Sequence, residues 1–289
     1  MTLDIIGGPA SQLLAGRVSE ILKDNLLVSE FRKFPDGELY TRIMDGTSGS
    51  DVTIIQSTVT DSDFVSLLQL IDACRDAPRI NVVIPYMGYA RQDKQFKTGE
   101  PVSARAIAKA IKADTVYTIN IHDESVLDHF DAKAVNLDAT PVIGKYIKNL
   151  ELKDPLILSP DDGAIGLAQN ASRDLGIEYD FLEKTRLNGE TVSIKPKNLA
   201  VKGRDVIILD DIISTGGTMS ETITLLRSQG AHDVYTACVH AVLSNNAVLK
   251  LFKAGVKAII ATDTIDKGVS VASAAPVIAD AIKSICDQI

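Results

Sequence analysis

Short runs that are apolar on both faces recur along the chain: Val52-Thr53-Ile54-Ile55, Ile80-Asn81-Val82-Val83-Ile84, Thr115-Val116-Tyr117-Thr118-Ile119, Leu156-Ile157-Leu158, Val206-Ile207-Ile208-Leu209 and Ala258-Ile259-Ile260. Rich in β-branched residues and lacking a polar alternation, they predict strands covered on both sides, the condition of a parallel sheet. Longer stretches with helical spacing lie between them. Val102, Ala106, Ile107, Ala110 and Ile111 are expected to form one apolar face of a helix over Pro101 to Ala113, with Pro101 suited to its first turn. Met219, Ile223 and Leu226 make a similar stripe that Gly230 should stop. The alternation predicts an α/β fold with mainly parallel sheets. It occurs twice, before and after about residue 141, so two similar domains are expected, 1–141 and 142–289. Their junction falls at Ala139-Thr140-Pro141 or in the Lys-rich segment Lys145 to Lys153.

Composition narrows the partners. With 289 residues and 45% hydrophobic content, the chain can fill two ordinary cores. Thirty Lys and Arg against 38 Asp and Glu give a formal charge of −8, so the broad basic face that binds nucleic acid is not expected. Small anions remain open, because backbone N–H groups and bound metal can hold phosphate. The widely separated Cys74, Cys238 and Cys286 suggest buried thiols rather than a metal knuckle or a disulfide framework. No apolar stretch approaches the roughly 20 residues that span a bilayer, and Met1 to Gly8 lacks a basic leader. No membrane partner and a cytoplasmic location are expected.

The chemistry concentrates where strands end. Val206 to Leu209 runs into Asp210-Asp211-Ile212-Ile213-Ser214-Thr215-Gly216-Gly217-Thr218. A small-residue turn that opens a helix aims N–H groups and the positive dipole end at an anion, and the hydroxyls of Ser214, Thr215 and Thr218 add donors. An ordinary capped helix explains the turn, but not two carboxylates beside it, which call for a ribose diol or a metal.

This segment resembles the loop for 5-phosphoribosyl 1-pyrophosphate (PRPP) shared by type I phosphoribosyltransferases and PRPP synthetases. The resemblance implies that Asp210 and Asp211 face ribose hydroxyls, and that Ser214, Thr215, Gly216, Gly217 and Thr218 hold a 5-phosphate. Alone it does not separate an enzyme that uses PRPP from one that makes it. Pro85-Tyr86-Met87-Gly88-Tyr89-Ala90-Arg91-Gln92-Asp93-Lys94 through Gly99-Glu100-Pro101 is similar to a signature of the synthetases, ribose-phosphate pyrophosphokinases, in which Arg91 and Gln92 would hold ATP. Asn120-Ile121-His122 resembles the family's Asp-Leu-His, with Asn120 replacing a carboxylate; His122 is implied in metal binding or transition-state stabilisation. Ser159-Pro160-Asp161-Asp162-Gly163 is similar to a segment whose acid, here Asp161, lies near metal.

Lys184 and Arg186 match a Lys-x-Arg pair on a flexible catalytic loop; at i, i+2 on an extended strand they would project to one side, and Leu187 to Glu190 reads as a mobile tip. Phe34-Pro35-Asp36-Gly37-Glu38, by itself a hairpin turn, resembles a family segment that binds adenine held mainly by a neighbouring subunit. It implies that Phe34, Asp36 and Glu38 bind ATP in at least a homodimer.

The likeness covers nearly the whole chain in order, at a length resembling the shorter archaeal members. It implies two type I phosphoribosyltransferase-like domains, the first for ATP and the second for ribose 5-phosphate, with Mg²⁺ as cofactor. The reaction implied is diphosphoryl transfer from ATP to ribose 5-phosphate. A phosphoribosyltransferase and a catalytically silent regulatory subunit are the competing readings. His129, His232 and His240 carry no motif and are expected to be structural.

Overall fold

The computed structural model describes residues 3–286 apart from 48, 174, 189–190 and 197–199, with side chains described outside 184–199 and 285–286. It divides into two compact units, 1–138 with 264–266 and 273–289, and 139–263 with 267–272.

In the first unit the chain forms β1 (Leu3–Gly7), α1 (Gln12–Leu22), β2 (Asn25–Leu27), β3 (Ser29–Lys33), β4 (Leu39–Ile43), β5 (Asp51–Ile55), α2 (Asp61–Ala73), β6 (Ile80–Ile84), α3 (Ser103–Ala110), β7 (Thr115–Ile119) and β8 (Lys133–Leu137). Its sheet runs β2-β1-β5-β6-β7-β8 with every pairing parallel. Strands β3 and β4 make a separate antiparallel hairpin. The apolar runs supply the core, with Ile54, Val82, Ile84 and Val116 fully buried among Leu67, Leu70 and Ile111.

Helix α2 starts where Thr60 and Asp63 cap each other's backbone N–H groups. Helix α3 is shorter than its pattern predicts, beginning at Ser103 rather than in the turn of Pro101 and ending before Ile111 turns extended. Its inner face is also rotated: Ala104, Ala108 and Ile111 are buried with Ile107 half-buried, while Ala106 and Ala110 are exposed. Alanine fits either phase, so the two isoleucines set the face.

The second unit contains α4 (Thr140–Lys148), β9 (Leu156–Ser159), α5 (Ile165–Ser172), β10 (Glu178–Asn188), β11 (Thr191–Pro196), β12 (Val206–Ile212), α6 (Gly217–Ser228), β13 (Val234–His240), α7 (Ala247–Ala254), β14 (Ile259–Thr262) and β15 (Ser270–Ala272). Its sheet runs β11-β10-β9-β12-β13-β14-β15, antiparallel only at β10–β11. Helix α6 buries Met219, Ile223 and Leu226 as expected and stops before Gly230, which takes a φ of +87°.

The last helix, α8 (Ala275–Cys286), belongs to the first unit, where it packs on α1. Cys74 and Cys238 are buried, and burial pushes the Cys74 thiol up to about 12. Among the described residues no helix is long and apolar enough to cross a membrane.

Candidate active site

Asp161 follows β9, and Asp210 and Asp211 end the adjacent β12. From β9 the chain steps to β10 on one side and later to β12 on the other, so these acids flank the point where strand order reverses. Open α/β sheets bind ligands there. Asp161 Oδ1 accepts the Ala164 N–H at 3.2 Å, tying the carboxylate into the turn. Asp210 Oδ1 accepts the Asp211 N–H at 2.9 Å, and Asp211 Oδ1 accepts the Ile212 N–H at 2.7 Å. Burial raises the Asp210 carboxyl well above the usual carboxylate range, and the negative charges of Asp211 and Asp161 push it further. Asp161, Asp210 and Asp211 are thus electrostatic neighbours, but among the described residues these three do not come together at metal-ligand spacing.

The loop to α6 is held from behind. Leu243 N–H donates to the Ile213 carbonyl at 2.9 Å, Ser244 N–H to that of Ser214 at 3.0 Å, and Lys250 Nζ to that of Thr215 at 3.3 Å. Gly216 takes a φ of +71° as the N-cap of α6, and a Cβ there would lie 3.3 Å from Ala247 Cβ. Its lack of a side chain admits both the left-handed backbone and the close approach of α7. Ser214, Gly217 and Thr218 complete the loop at the helix N-terminus, where Thr215 and Thr218 are exposed.

In the first unit the candidates follow neighbouring strands, Arg91 and Gln92 after β6 and His122 after β7. Two hydroxyls buried after β5 fix the path of the 85–93 loop: Ser57 Oγ accepts the Tyr86 N–H at 3.1 Å and Thr58 Oγ1 the Gly88 N–H at 2.9 Å. A Cβ on Gly88 would sit 2.2 Å from the Thr58 carbonyl oxygen, and Tyr89 takes a φ of +65° while hydrogen-bonding Asp61. Gly88 is thus required by a tight backbone crossing. Met87 and Ala90 anchor the loop in the core, leaving Arg91 exposed; Gln92 accepts from the Ser103 hydroxyl at the start of α3.

His122 is exposed, and its neighbour Asp123 is held below the usual carboxylate range, first by bonds from Ser125 and further by the charges of Lys94 and His122. Lys94 comes from the loop after β6, so the two loops are electrostatic neighbours. Asn120, where the resembling segment has a carboxylate, takes a φ of +39° and donates its amide to Asp138 Oδ1 at 2.8 Å. Nothing in the pattern of the sequence pointed to Asp138 or to Asn136 beside it.

Phe34, Asp36 and Glu38 lie in the β3–β4 turn, away from the strands that carry the other candidates. Phe34 N–H donates to the Glu38 carbonyl at 2.8 Å, and Gly37 takes a φ of +94°. The Phe34 ring is 43% exposed and meets Tyr40 edge-on at 5.9 Å, with the Arg32 guanidinium over both rings. An aromatic face so presented can take a planar ligand. Lys184 and Arg186 fall on β10 opposite Ile194 and Val192 of β11. Their side chains, and the tip at 189–190, lie outside those described.

A second acidic cluster, Asp205, His232 and Asp233, has metal-like spacing but sits at the opposite, amino ends of β12 and β13. Its central carboxylate accepts the Lys153 N–H at 2.7 Å, the Asp233 N–H at 3.1 Å and a contact with His232 Nδ1 at 2.7 Å. These partners make it a structural clasp.

Residues 3–114 match the family described as the N-terminal domain of ribose phosphate pyrophosphokinase, and residues 128–276 match the phosphoribosyl transferase domain. The chain is 59% identical over 281 residues to the ribose-phosphate pyrophosphokinase of Methanosarcina acetivorans, covering 97% of this chain and 99% of that protein. It is 44% identical to ribose-phosphate pyrophosphokinase 2 of Archaeoglobus fulgidus, covering 97% and 100%. The crystal structure of phosphoribosylpyrophosphate synthetase from Mycobacterium smegmatis superimposes over 100% of both chains with a TM-score of 0.84 at 29% identity. With both domain types present in order and archaeal relatives alike over almost their whole length, the chain belongs to the ribose-phosphate pyrophosphokinase family.

Proposed function

We propose that the protein transfers the β,γ-diphosphoryl group of Mg-ATP to the C1 hydroxyl of ribose 5-phosphate. The hydroxyl oxygen bonds to the β-phosphorus, the α–β bridge breaks with its oxygen leaving on AMP, and the hydroxyl proton is released; the products are PRPP and AMP. The observation that carries this reading is that one chain holds both the braced 210–218 loop and the 85–93 loop. A phosphoribosyltransferase needs only the first.

In the second unit, the N–H groups of Ser214 to Thr218 and the start of α6 would receive the 5-phosphate. Asp210 and Asp211 would accept from the ribose hydroxyls, and so aim C1. In the first unit we assign ATP to Arg91 and Gln92, with a guanidinium suited to phosphate oxygens. Phe34, Asp36 and Glu38 would hold the adenine of an ATP on a neighbouring copy, which makes the active form at least a homodimer.

Mg²⁺ is assigned to Asp161 in the second unit, and metal binding also to His122 in the first. When bound, that ion supplies charge neutralisation for the phosphate oxygens. Transfers of this kind ask a protein mainly for positioning and countercharge, the role we assign to Lys184, Arg186 and His122. Lys184→Ala is therefore expected to lower kcat far more than it raises either KM, and an unchanged kcat would remove Lys184 from that role. Soluble metabolites as substrates suit a cytoplasmic setting.

The test is incubation with Mg-ATP and ribose 5-phosphate. AMP should form only when both are present; PRPP consumption with a purine base instead would indicate a phosphoribosyltransferase, and no turnover under varied metals would indicate a silent subunit.

A further inference from the structure

Strand β8 grips the chain on both sides of His122, and we propose that Asn136 is the positioning residue that fixes His122 for the reaction, supported by Asp138. The inference rests on the role given to His122 above. Asn136 pairs in register with Thr118 on β7. Its side-chain oxygen accepts the Ile121 N–H at 3.0 Å and the Thr118 hydroxyl at 3.1 Å, and its Nδ2 donates to Glu124 Oε1 at 3.0 Å. These bonds hold the residue before His122 and the second residue after it. Two positions on, just past the end of β8, Asp138 accepts from Asn120 Nδ2 at 2.8 Å, while the Asn120 N–H reaches the Leu137 carbonyl at 2.8 Å.

Up to Ile119, β7 is held by its own ladder. The additional side-chain bonds to Asn120, Ile121 and Glu124 fall on the segment that has left the sheet and carries an exposed imidazole. Only an amide meets both demands at position 136, because its oxygen faces an N–H and its nitrogen faces a carboxylate. A flipped amide, or an aspartate, would set oxygen against Glu124. Outer partners that fix a functional histidine act through its orientation, and losing one typically lowers activity or metal affinity tenfold to a hundredfold.

Asn136→Asp preserves shape and both accepted bonds but turns the donor toward Glu124 into a repelling carboxylate. It is expected to lower kcat by about tenfold or more, with both KM values within about twofold. Glu124→Gln alone should behave as wild type, and Glu124→Gln with Asn136→Asp should restore most of the loss, since Gln can donate where Asn did. That pair also serves if the single variant folds poorly. In a His122→Ala background, Asn136→Asp should add no further loss. The His122 ring signals in the ligand-free protein, followed by NMR, should shift in Asn136→Asp and return in the pair. Wild-type kcat in a folded Asn136→Asp, an equal loss in the His122→Ala background, unshifted ring signals, or a folded pair without recovery would each overturn the proposal. Wild-type turnover in His122→Ala would instead withdraw the role of His122, and the proposal with it, while leaving the overall reaction intact.

Discussion

Asp210 titrates above the usual carboxylate range because of where it lies. Burial and two nearby carboxylates disfavour its charge, so its folded pKa stands above the unfolded one. A group of that kind makes the folded state bind the extra proton, and stability therefore falls as pH rises from the ordinary carboxylate range through the raised value. Asp210→Asn removes this penalty. Its melting temperature should match or exceed that of wild type at pH 8, by roughly 2–4 °C for each kcal/mol recovered, with little gain at pH 4, while turnover collapses. A lower melting point at pH 8 would contradict the electrostatic account. Gly88 makes a steric counterpart. Gly88→Ala brings a methyl group within 2.2 Å of a backbone oxygen, so the 85–93 loop must move, and ATP affinity should fall by about tenfold or more while ribose 5-phosphate affinity is kept. Calorimetric titration with each substrate checks it. The position of both acids at the end of β12 was legible in the sequence, because a buried run ending in Asp-Asp before a Gly-rich turn marks a strand running into a loop. Asn136 and Asp138 were not: a polar side chain near a strand end reads as solvated until its partners across the ladder are known.

At the scale of elements, the six apolar runs became parallel strands because residues such as Ile54 and Ile208 are covered on both faces. The reading failed where alanine dominates, since α3 could turn either face inward and only Ile107 and Ile111 decide. Strand order explains the placement of the candidates. In the second unit the reversal between β9 and β12 carries Asp161, Asp210 and Asp211. In the first, the equivalent reversal between β1 and β5 is closed: Ser57 N–H donates to Ser11 Oγ at 2.9 Å, Ala10 N–H to Gln56 Oε1 at 3.2 Å, and Ser57 Oγ to the Thr264 carbonyl at 2.6 Å. Arg91, Gln92 and His122 instead follow β6 and β7.

The opposite end of the second sheet serves stability. Burial pushes the Asp205 carboxyl up, but bonds from the Lys153 N–H, His232 and the Asp233 N–H outweigh it and hold the group below its ordinary range. Its stabilising effect is thus present above the unfolded pKa and lost as pH falls through the lower, folded one. Asp205→Ala should cost about 2–4 kcal/mol by stranding two backbone donors, read by denaturant unfolding at pH 7, with kcat near wild type. A large kcat loss in the folded variant would show that this end is not merely structural.

For the whole molecule, the chain returns to its first unit through 264–266 and α8, a closure that no local pattern announces because the contacts join α8 to α1 across the length of the sequence. The β3–β4 turn raises the question of assembly. If Phe34 serves a neighbouring copy, Phe34→Ala should raise the KM for ATP by about tenfold while leaving that for ribose 5-phosphate unchanged, and light scattering should give at least a dimer in both proteins. A monomeric mass with full activity would refute that arrangement.

The −8 charge, which argued against nucleic acid, is compatible with anionic substrates. Acid is assigned to ribose hydroxyls and a cation, and phosphate to backbone N–H groups and a few placed cations. Transfer of a diphosphoryl group to C1 is followed by ³¹P NMR of a reaction containing Mg-ATP and ribose 5-phosphate. AMP and PRPP should appear in equal amounts, with the new diphosphate on C1; ADP with ribose 1,5-bisphosphate, or ATP left unchanged, would refute diphosphoryl transfer.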